Sequence, residues 1–265
     1  MLIKLLKFFL KCVGIGITTH TNLTKLIEIQ NTVSINTNAK LDLDFIQATK
    51  PRDLTSFFTA LGKSKSQLRQ DLFVLVELNF LEGGYFVEFG ATNGVDLSNT
   101  YLLEQGFSWR GILAEPARVW HEELQKNRPL ASIESSCVWR DSTSTLAFNE
   151  TFPASLSTID NFSQSDLHAS AREIGTHYEV HSISLMDMLK KHGAPQQIDY
   201  LSIDTEGSEF EILSAFDFSK YSFRTVTIEH NFTENREKIC DLLTTHGYQR
   251  RYESISDFDD WYVKI

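Results

Sequence analysis

Apolar residues recur along the chain with two different spacings, and these spacings predict its helices and strands. Between Gln67 and Phe80 they recur about every fourth residue, which predicts a helix with one core-facing side. Residues 85–89 are apolar or aromatic apart from one acid and end at Gly90, which predicts a buried strand that stops at a tight turn. The alternation of such segments indicates an α/β protein.

Similar patterns continue to the C-terminus. Helical spacing returns at residues 97–102, 185–189 and 235–246, whereas strand-like segments cover residues 111–114, 131–138, 145–148, 178–185, 198–204, 225–229, 248–254 and 261–265. Residues 152–176 show no strong period, which predicts a surface excursion that covers a substrate site.

The first part of the chain differs from the rest, since residues 17–52 are polar and weakly periodic. At this length a single domain with an appendage is expected rather than two domains. We therefore predict an N-terminal extension over residues 1–50 and one domain over residues 51–265.

Residues 1–13 carry the clearest pattern in that extension. Lys4, Lys7 and Lys11 recur with helical spacing among leucine and phenylalanine residues, which predicts a basic amphipathic helix. Such a helix is too short and too charged to span a bilayer. Two roles stay open for it: weak contact with a membrane surface, or packing against its own domain or a partner chain.

Composition places the chain among soluble globular proteins, because 42% of its residues are apolar and 23% are charged. A formal net charge of −10 argues against nucleic acid as a partner, since that binding depends on clustered lysine and arginine. Cys12, Cys137 and Cys240 are scattered and odd in number, which favours a reducing compartment. We therefore expect a cytoplasmic protein, with a membrane-peripheral location left open by residues 1–13.

Candidate chemistry begins where the first predicted strand ends. Glu88 lies two residues before Gly90, and Gly94 follows after a gap of three residues. Glycines at this place let the backbone approach a ligand, so we predict a cofactor loop that includes Ala91 and Asn93. The spacing differs from the dinucleotide pattern G-x-G-x-x-G, and an acid here suits a positively charged ligand. The alternative is an ordinary strand-to-helix turn with a capped glutamate.

Two further features follow this loop. Ser98, Asn99 and Thr100 lie near the start of the next predicted helix, where they either face the cofactor or cap the helix. Glu115 ends the second predicted strand, where nucleotide-binding folds place an acid on the ribose hydroxyls. A carboxylate accepts both hydroxyls and repels a phosphate, so Glu115 predicts a ligand with an unphosphorylated ribose.

Two later strands also end in polar residues. Asp204 ends one apolar strand, and Glu229, His230 and Asn231 end the next. Neighbouring strands of an open sheet present their carboxyl ends to the same crevice, so we predict that these residues converge there. The histidine is a base, a ligand or a structural cap on this pattern alone.

The segments QDLFVL, GGYFVEFGATNG, GILAEP, SLSTID and IDYLSIDTEGSEFEIL, in this order, resemble the FkbM-type family of S-adenosylmethionine-dependent methyltransferases. The resemblance covers residues 67–265. It implies a Rossmann-like class I methyltransferase fold, with a seven-stranded, mostly parallel sheet, an antiparallel last strand and flanking helices. It also implies that Glu88, Gly90, Gly94 and Glu115 hold S-adenosylmethionine.

The resemblance further implies methyl transfer to a hydroxyl of a sugar, a glycan or a related small polar metabolite. We predict His230 as the general base, beside Asp204 and Glu229, and such a base typically contributes about 10²–10⁴-fold. Asp204 is also predicted to contact the cofactor. Alternatively, Asp204, Glu229 and Asn231 bind Mg²⁺, which prefers oxygen ligands and would acidify the hydroxyl.

Two other classes of function stay open. One is a non-catalytic module that binds a sugar or a partner through a vestigial pocket. The other is a nicotinamide oxidoreductase, which the missing second glycine of the dinucleotide pattern disfavours. Stabilisation by S-adenosylhomocysteine, by NAD or by neither separates the three.

Overall fold

The computed structural model of the protein describes residues 39–265. The chain divides into two compact units, Met1–Ala48 and Thr49–Ile265. The described part of the first unit is helical and belongs to helix α1, which covers residues 39–49. The basic helix predicted for residues 1–13 lies outside the described residues. Within residues 39–265, no helix is both long and apolar enough to cross a bilayer.

The second unit alternates helices with strands, as the spacing of its apolar residues predicts. The helices are α2 (Leu54–Leu61), α3 (Gln70–Glu77), α4 (Tyr101–Phe107), α5 (His121–Asn127), α6 (Leu185–Lys191), α7 (Glu209–Ser214) and α8 (Asn235–Thr245). The strands are β1 (Tyr85–Phe89), β2 (Arg110–Ala114), β3 (Ser132–Glu134), β4 (Cys137–Trp139), β5 (Thr145–Glu150), β6 (Thr158–Ile159), β7 (Thr176–Ser184), β8 (Gln197–Ile203), β9 (Ser222–Glu229), β10 (Tyr248–Arg251) and β11 (Asp259–Lys264).

Seven strands form one sheet in the order β3, β2, β1, β8, β9, β11, β10. The pairs from β3 to β9 are parallel, whereas β11 is antiparallel to both of its neighbours. This is the predicted Rossmann-like class I methyltransferase arrangement. The strand order reverses between β1 and β8, and open α/β sheets bind their ligands at the carboxyl ends beside such a reversal.

A second sheet has four strands in the order β4, β7, β5, β6. It shows that the single strand predicted over residues 131–138 is wrong, because β3 belongs to the large sheet and β4 to the small one. The chain turns between them, where the N–H of Ser136 donates to the side chain of Glu134 at 3.0 Å. Each of these strands has only three residues, which is too short for a period in the apolar residues to reveal the break.

The largest apolar cluster is built from the strands in the middle of the large sheet and from the helices packed on them. Its members Val87, Ile112, Leu201 and Val226 are fully buried. Burial of each such side chain stabilises the fold by about 1.5–3 kcal/mol. This packing holds the ends of β1, β2, β8 and β9 in fixed positions.

Candidate active site

A cavity opens at the carboxyl ends of β1, β2 and β8, beside the reversal in strand order. Its volume is about 970 Å³, including the space at its mouth. Of the residues that the sequence offers as ligand contacts, six contribute to its wall: Glu88, Gly90, Ser98, Asn99, Glu115 and Asp204.

Glu88 is held by donors from the residues that precede α4. Its carboxylate accepts hydrogen bonds from Ser98 Oγ at 3.0 Å, from Asn99 N at 2.7 Å, and from Thr100 Oγ1. Burial raises the pKa of Glu88, and the Arg128 guanidinium opposes that rise. Ser98, Asn99 and Thr100 therefore tie this turn to the end of β1 through the Glu88 carboxylate.

Asn99 lies on the cavity wall together with Ser98. Its Nδ2 donates to Ser202 Oγ of β8 at 3.0 Å, which fixes the orientation of the amide. Its Oδ1 is buried and has no hydrogen-bond partner among residues 39–265. A buried amide oxygen without a partner on a cavity wall is an acceptor for a ligand donor.

The turn after β1 brings the backbone of Gly90 against that of Asp204. Gly90 has a φ of +71°, and a side-chain carbon there would lie 2.1 Å from the carbonyl oxygen of Asp204. At Gly94 such a carbon would lie 2.7 Å from a leucine of α5. Of the predicted loop residues, Ala91, Asn93 and Gly94 shape the turn but are not part of the cavity wall.

Glu115 lies on the cavity wall with both carboxylate oxygens oriented by backbone donors. Oε2 accepts from Thr92 N and Oε1 accepts from Ala117 N, each at 2.8 Å. Each oxygen keeps a second lone pair, so the carboxylate can accept two ligand hydroxyls as well. Burial raises the pKa of Glu115 to about 7, and the two backbone donors oppose that rise.

The ends of β8 and β9 bring three acids together, which we call the acid cluster: Asp204, Glu206 and Glu229. Oxygens of the three side chains lie within 4.8 Å of one another. Desolvation raises the pKa of Asp204 to about 7, while a hydrogen bond with Glu229 opposes the rise. Burial, and then repulsion by Asp204, raises the pKa of Glu229 well above its ordinary value. Near neutral pH the cluster therefore retains protons.

Residues 88–262 match the methyltransferase FkbM domain. The chain belongs to the FkbM methyltransferase family. The matched segment contains the carboxyl ends of β1, β2, β8 and β9. The strand ends beside the cavity therefore belong to the FkbM domain.

Solved structures similar to this FkbM-family chain are also methyltransferases. One is a methyltransferase FkbM from Methylobacillus flagellatus KT, at 14% identity and a TM-score of 0.41, with 80% of this chain and 59% of that chain covered. This chain thus spans less than two thirds of that protein's length.

A precorrin-6y C5,15-methyltransferase from Geobacter metallireducens GS-15 has 12% identity and a TM-score of 0.37, covering 68% of this chain and 71% of its own. A human methyltransferase 10 domain containing protein has 11% identity and a TM-score of 0.38, covering 77% and 85%. No curated protein is similar enough to this sequence to match it. The TM-scores of these three structures are all below 0.5, so the structural similarity does not establish the family. Membership of the FkbM family rests on the domain match to residues 88–262.

His230 of this FkbM-family chain does not line the cavity. It is 4% exposed, and its Nδ1 accepts from the N–H of Phe232 at 3.0 Å. Its Nε2 lies 3.8 Å from Asp260 of β11. Burial lowers the pKa of His230. The structure therefore brings Asp204 and Glu229 together, but of Asp204, Glu229 and His230 only Asp204 lines the cavity.

Two residues with direct effects on the site are not found by sequence reasoning. Thr92 orients Glu115 through its backbone, and its position inside the predicted loop is a signal that could have identified it. Arg172 donates from Nη2 to Glu206 Oε2 at 2.7 Å. It lies in the unpatterned segment, where no spacing marks it.

The acid cluster of this FkbM-family protein does not fit the predicted Mg²⁺ site. Asn231 directs its Nδ2 rather than its oxygen to the acids, at 2.8 Å from Glu229 and 3.4 Å from Glu206. Arg172 is already paired with Glu206. Because Mg²⁺ needs oxygen ligands in near-octahedral geometry, this arrangement favours shared protons over a bound metal.

We expect the unliganded protein to lose stability as the pH rises from about 6.5 to 8.5. Desolvation raises the folded-state pKa of Glu115 and Asp204 to about 7 and that of Asp259 to about 8. In the unfolded chain these acids ionise near pH 4, so above that pH the folded state binds more protons and stability falls through the folded values.

Each group should contribute a fall of about 1.4 kcal/mol per pH unit below its folded pKa, and this fall should level off above that pKa. Urea unfolding at pH 6.5, 7.5 and 8.5 measures it. A free energy of unfolding that rises over this range would contradict the prediction.

Proposed function

We propose that the protein is an S-adenosylmethionine-dependent O-methyltransferase that acts on a hydroxyl of an uncharged sugar, glycan or related small polar metabolite. The observation that carries this proposal is the presence of Glu115 and Asp204 on the wall of one cavity. Glu115 can accept hydrogen bonds from the hydroxyls of a ribose, and Asp204 can accept the proton of an acceptor hydroxyl. The family supplies the reaction class, which is methyl transfer.

Three features of the cavity fit S-adenosylmethionine. Glu115 has free lone pairs for a ribose, and the buried Oδ1 of Asn99 is free to accept from a ligand donor. Glu88 and Asp204 also line the cavity, and a cationic ligand beside them would favour their ionised forms, so they suit such a ligand. When bound, the cofactor supplies a methyl group that is already activated by its sulfonium.

The charges on the wall favour an acceptor without phosphate or carboxylate groups. The acids that line the cavity are Glu88, Asp96, Glu115, Asp204 and Glu206, and none of the described lining residues is lysine, arginine or histidine. A buried anionic group would meet like charges without a cation to pair with, which is unfavourable. A sugar hydroxyl brings no such charge.

Asp204 is the acid best placed to take the proton of the acceptor hydroxyl. Glu115 is oriented by two backbone donors, and Glu206 is paired with Arg172. Asp204 lines the cavity with a pKa near neutrality, where a general base is most effective. Glu229 keeps its proton and hydrogen-bonds Asp204. With the methyl group supplied by the bound cofactor and S-adenosylhomocysteine as the leaving group, Asp204 would accept the proton of the acceptor hydroxyl.

Binding and transfer experiments test this function. We expect calorimetry to show binding of S-adenosylhomocysteine and no binding of NAD. With methyl-labelled S-adenosylmethionine and a mixture of neutral glycans and their phosphorylated forms, we expect label in the neutral products and no effect of EDTA. Binding of neither ligand would favour the non-catalytic module. Activity lost in EDTA and restored by Mg²⁺ would assign the acid cluster to a metal.

Replacing Glu115 with glutamine should weaken S-adenosylhomocysteine binding about tenfold or more, because a hydrogen bond to a charged group contributes about 1.5–3 kcal/mol. Hydrogen-bond donors of the ligand stabilise the ionised form of the Glu115 carboxylate over its protonated form. Since burial raises the pKa of Glu115 to about 7, wild-type affinity should rise as the pH increases through neutrality, and the variant should lose this dependence.

Glu134→Gln is the matched control for that prediction. Glu134 ends the neighbouring strand β3, is paired with Lys191 at 2.7 Å and does not line the cavity. Calorimetry at pH 6 and pH 8 compares the two variants. If both bind S-adenosylhomocysteine as the wild type does, Glu115 does not contact the cofactor.

A further inference from the structure

The cover segment, residues 151–175 between β5 and β7, forms part of the cavity wall. Four of its residues line the cavity: Ala154, Ser155, Ser157 and Ile159. Its regular structure consists of short 3-10 helices and the two-residue strand β6. Few backbone hydrogen bonds therefore fix the segment over the cavity, and its position depends on side-chain contacts.

Arg172 makes charged contacts within this segment and beyond it. Its guanidinium donates to both oxygens of Asp166, at 2.9 and 3.1 Å, and to Glu206 Oε2 of the acid cluster at 2.7 Å. Its Nε donates to the carbonyl of Leu156 at 2.8 Å. The side chain is fully buried, so water does not compete for these donors. One side chain thus joins two parts of the cover segment to the end of β8.

Neutral contacts converge on the same turn. Thr158 Oγ1 donates to the backbone carbonyl of Glu206 at 2.9 Å. Gly207 has a φ of +122°, and a side-chain carbon there would lie 3.1 Å from Phe162. The turn after β8 is therefore the place where the cover segment rests on the large sheet.

We propose that Arg172 is a positioning residue that fastens the cover segment to Glu206 and so completes the acceptor side of the cavity. The inference rests on the proposed function, since it takes this cavity as the site of methyl transfer. Arg172 is not part of the cavity wall. It acts through Ser155 and Ser157, which it holds against the site.

Hydrogen–deuterium exchange of the full chain tests the proposal without knowledge of the acceptor. In Arg172→Met, amides of the cover segment should exchange about tenfold faster or more, while those of β1 and β8 exchange as in the wild type. Arg172→Lys keeps the charge but not the bidentate geometry, so it should restore part of the protection. The control Arg140→Met removes an exposed pair with Glu211 and should change neither region.

A second readout separates positioning from general stabilisation. Gly90 and Glu115 lie outside the cover segment, so Arg172→Met should bind S-adenosylhomocysteine within about threefold of the wild type. Transfer of label to neutral glycans should fall about tenfold or more, because the acceptor is no longer held in line. Arg172→Lys should recover part of this loss.

Unchanged exchange in the cover segment of Arg172→Met would overturn the proposal, and so would faster exchange throughout the large sheet. If this variant does not fold, Asp166→Asn removes the partner inside the segment and leaves the pair with Glu206. It should then expose the cover segment in the same way, and unchanged exchange would again overturn the proposal. A wild type that binds no S-adenosylhomocysteine would instead refute the proposed function.

Discussion

Gly90→Ala should destabilise the protein by at least about 3 kcal/mol and abolish S-adenosylhomocysteine binding. Two effects add at this position. The backbone has a φ of +71°, which an L side chain rarely adopts, and the new methyl group would lie 2.1 Å from the carbonyl oxygen of Asp204. That neighbour is backbone at the end of a core strand, so it cannot move without displacing β8.

Gly83→Ala separates the two effects. Gly83 has a φ of +70°, but no described atom lies within 4 Å of the position of its missing side chain. This control should therefore show the cost of the backbone conformation alone, about 1–2 kcal/mol. Urea unfolding compares both variants with the wild type. Equal losses in the two would show that β1 and β8 do not meet as closely as the structure indicates.

Asp204→Asn should lower methyl transfer by about 10²–10⁴-fold and change S-adenosylhomocysteine affinity by no more than a few fold. Asparagine has nearly the same shape but cannot accept the proton of the acceptor hydroxyl. The measurement is label transfer to neutral glycans under single-turnover conditions, with calorimetry on the same samples. A variant that transfers at the wild-type rate would remove Asp204 from the role of base.

His230→Gln tests the base that the sequence pattern favours. The ring of His230 is buried beside Asp260 rather than on the cavity wall, so this variant should transfer methyl groups at close to the wild-type rate. Circular dichroism shows whether it folds. If this variant loses as much activity as Asp204→Asn while remaining folded, the histidine takes part in the reaction after all.

The sequence predicts those features of the site that are fixed locally. A strand that ends in Glu88 and Gly90 places both at the sheet edge, whatever the rest of the chain does. The same holds for Glu115 and Asp204, and all four line the cavity. Their positions follow from the period of the strand and from the parallel pairing of β1, β2 and β8.

Side-chain positions that are set by turns after a strand, or by contacts between distant segments, cannot be predicted from strand periodicity. His230 follows the last residue of β9, and its N–H donates to the carbonyl of Phe258 at 2.8 Å. Asn231 then has a φ of +43°, so the alternation of side-chain faces no longer applies. Arg172 and Glu206 are 34 residues apart, and no periodic pattern relates residues at that separation.

The two sheets divide the cavity wall between two stretches of the chain. Glu88 and Glu115 come from the large sheet, whereas Ser155 and Ser157 come from a connection within the small one. Under the proposed function, substitutions or insertions in residues 145–184 would alter which acceptor is admitted without disturbing Glu88 and Glu115. Under the same proposal, the small sheet would give descendants of this protein a route to new acceptors during evolution, with methyl transfer itself retained.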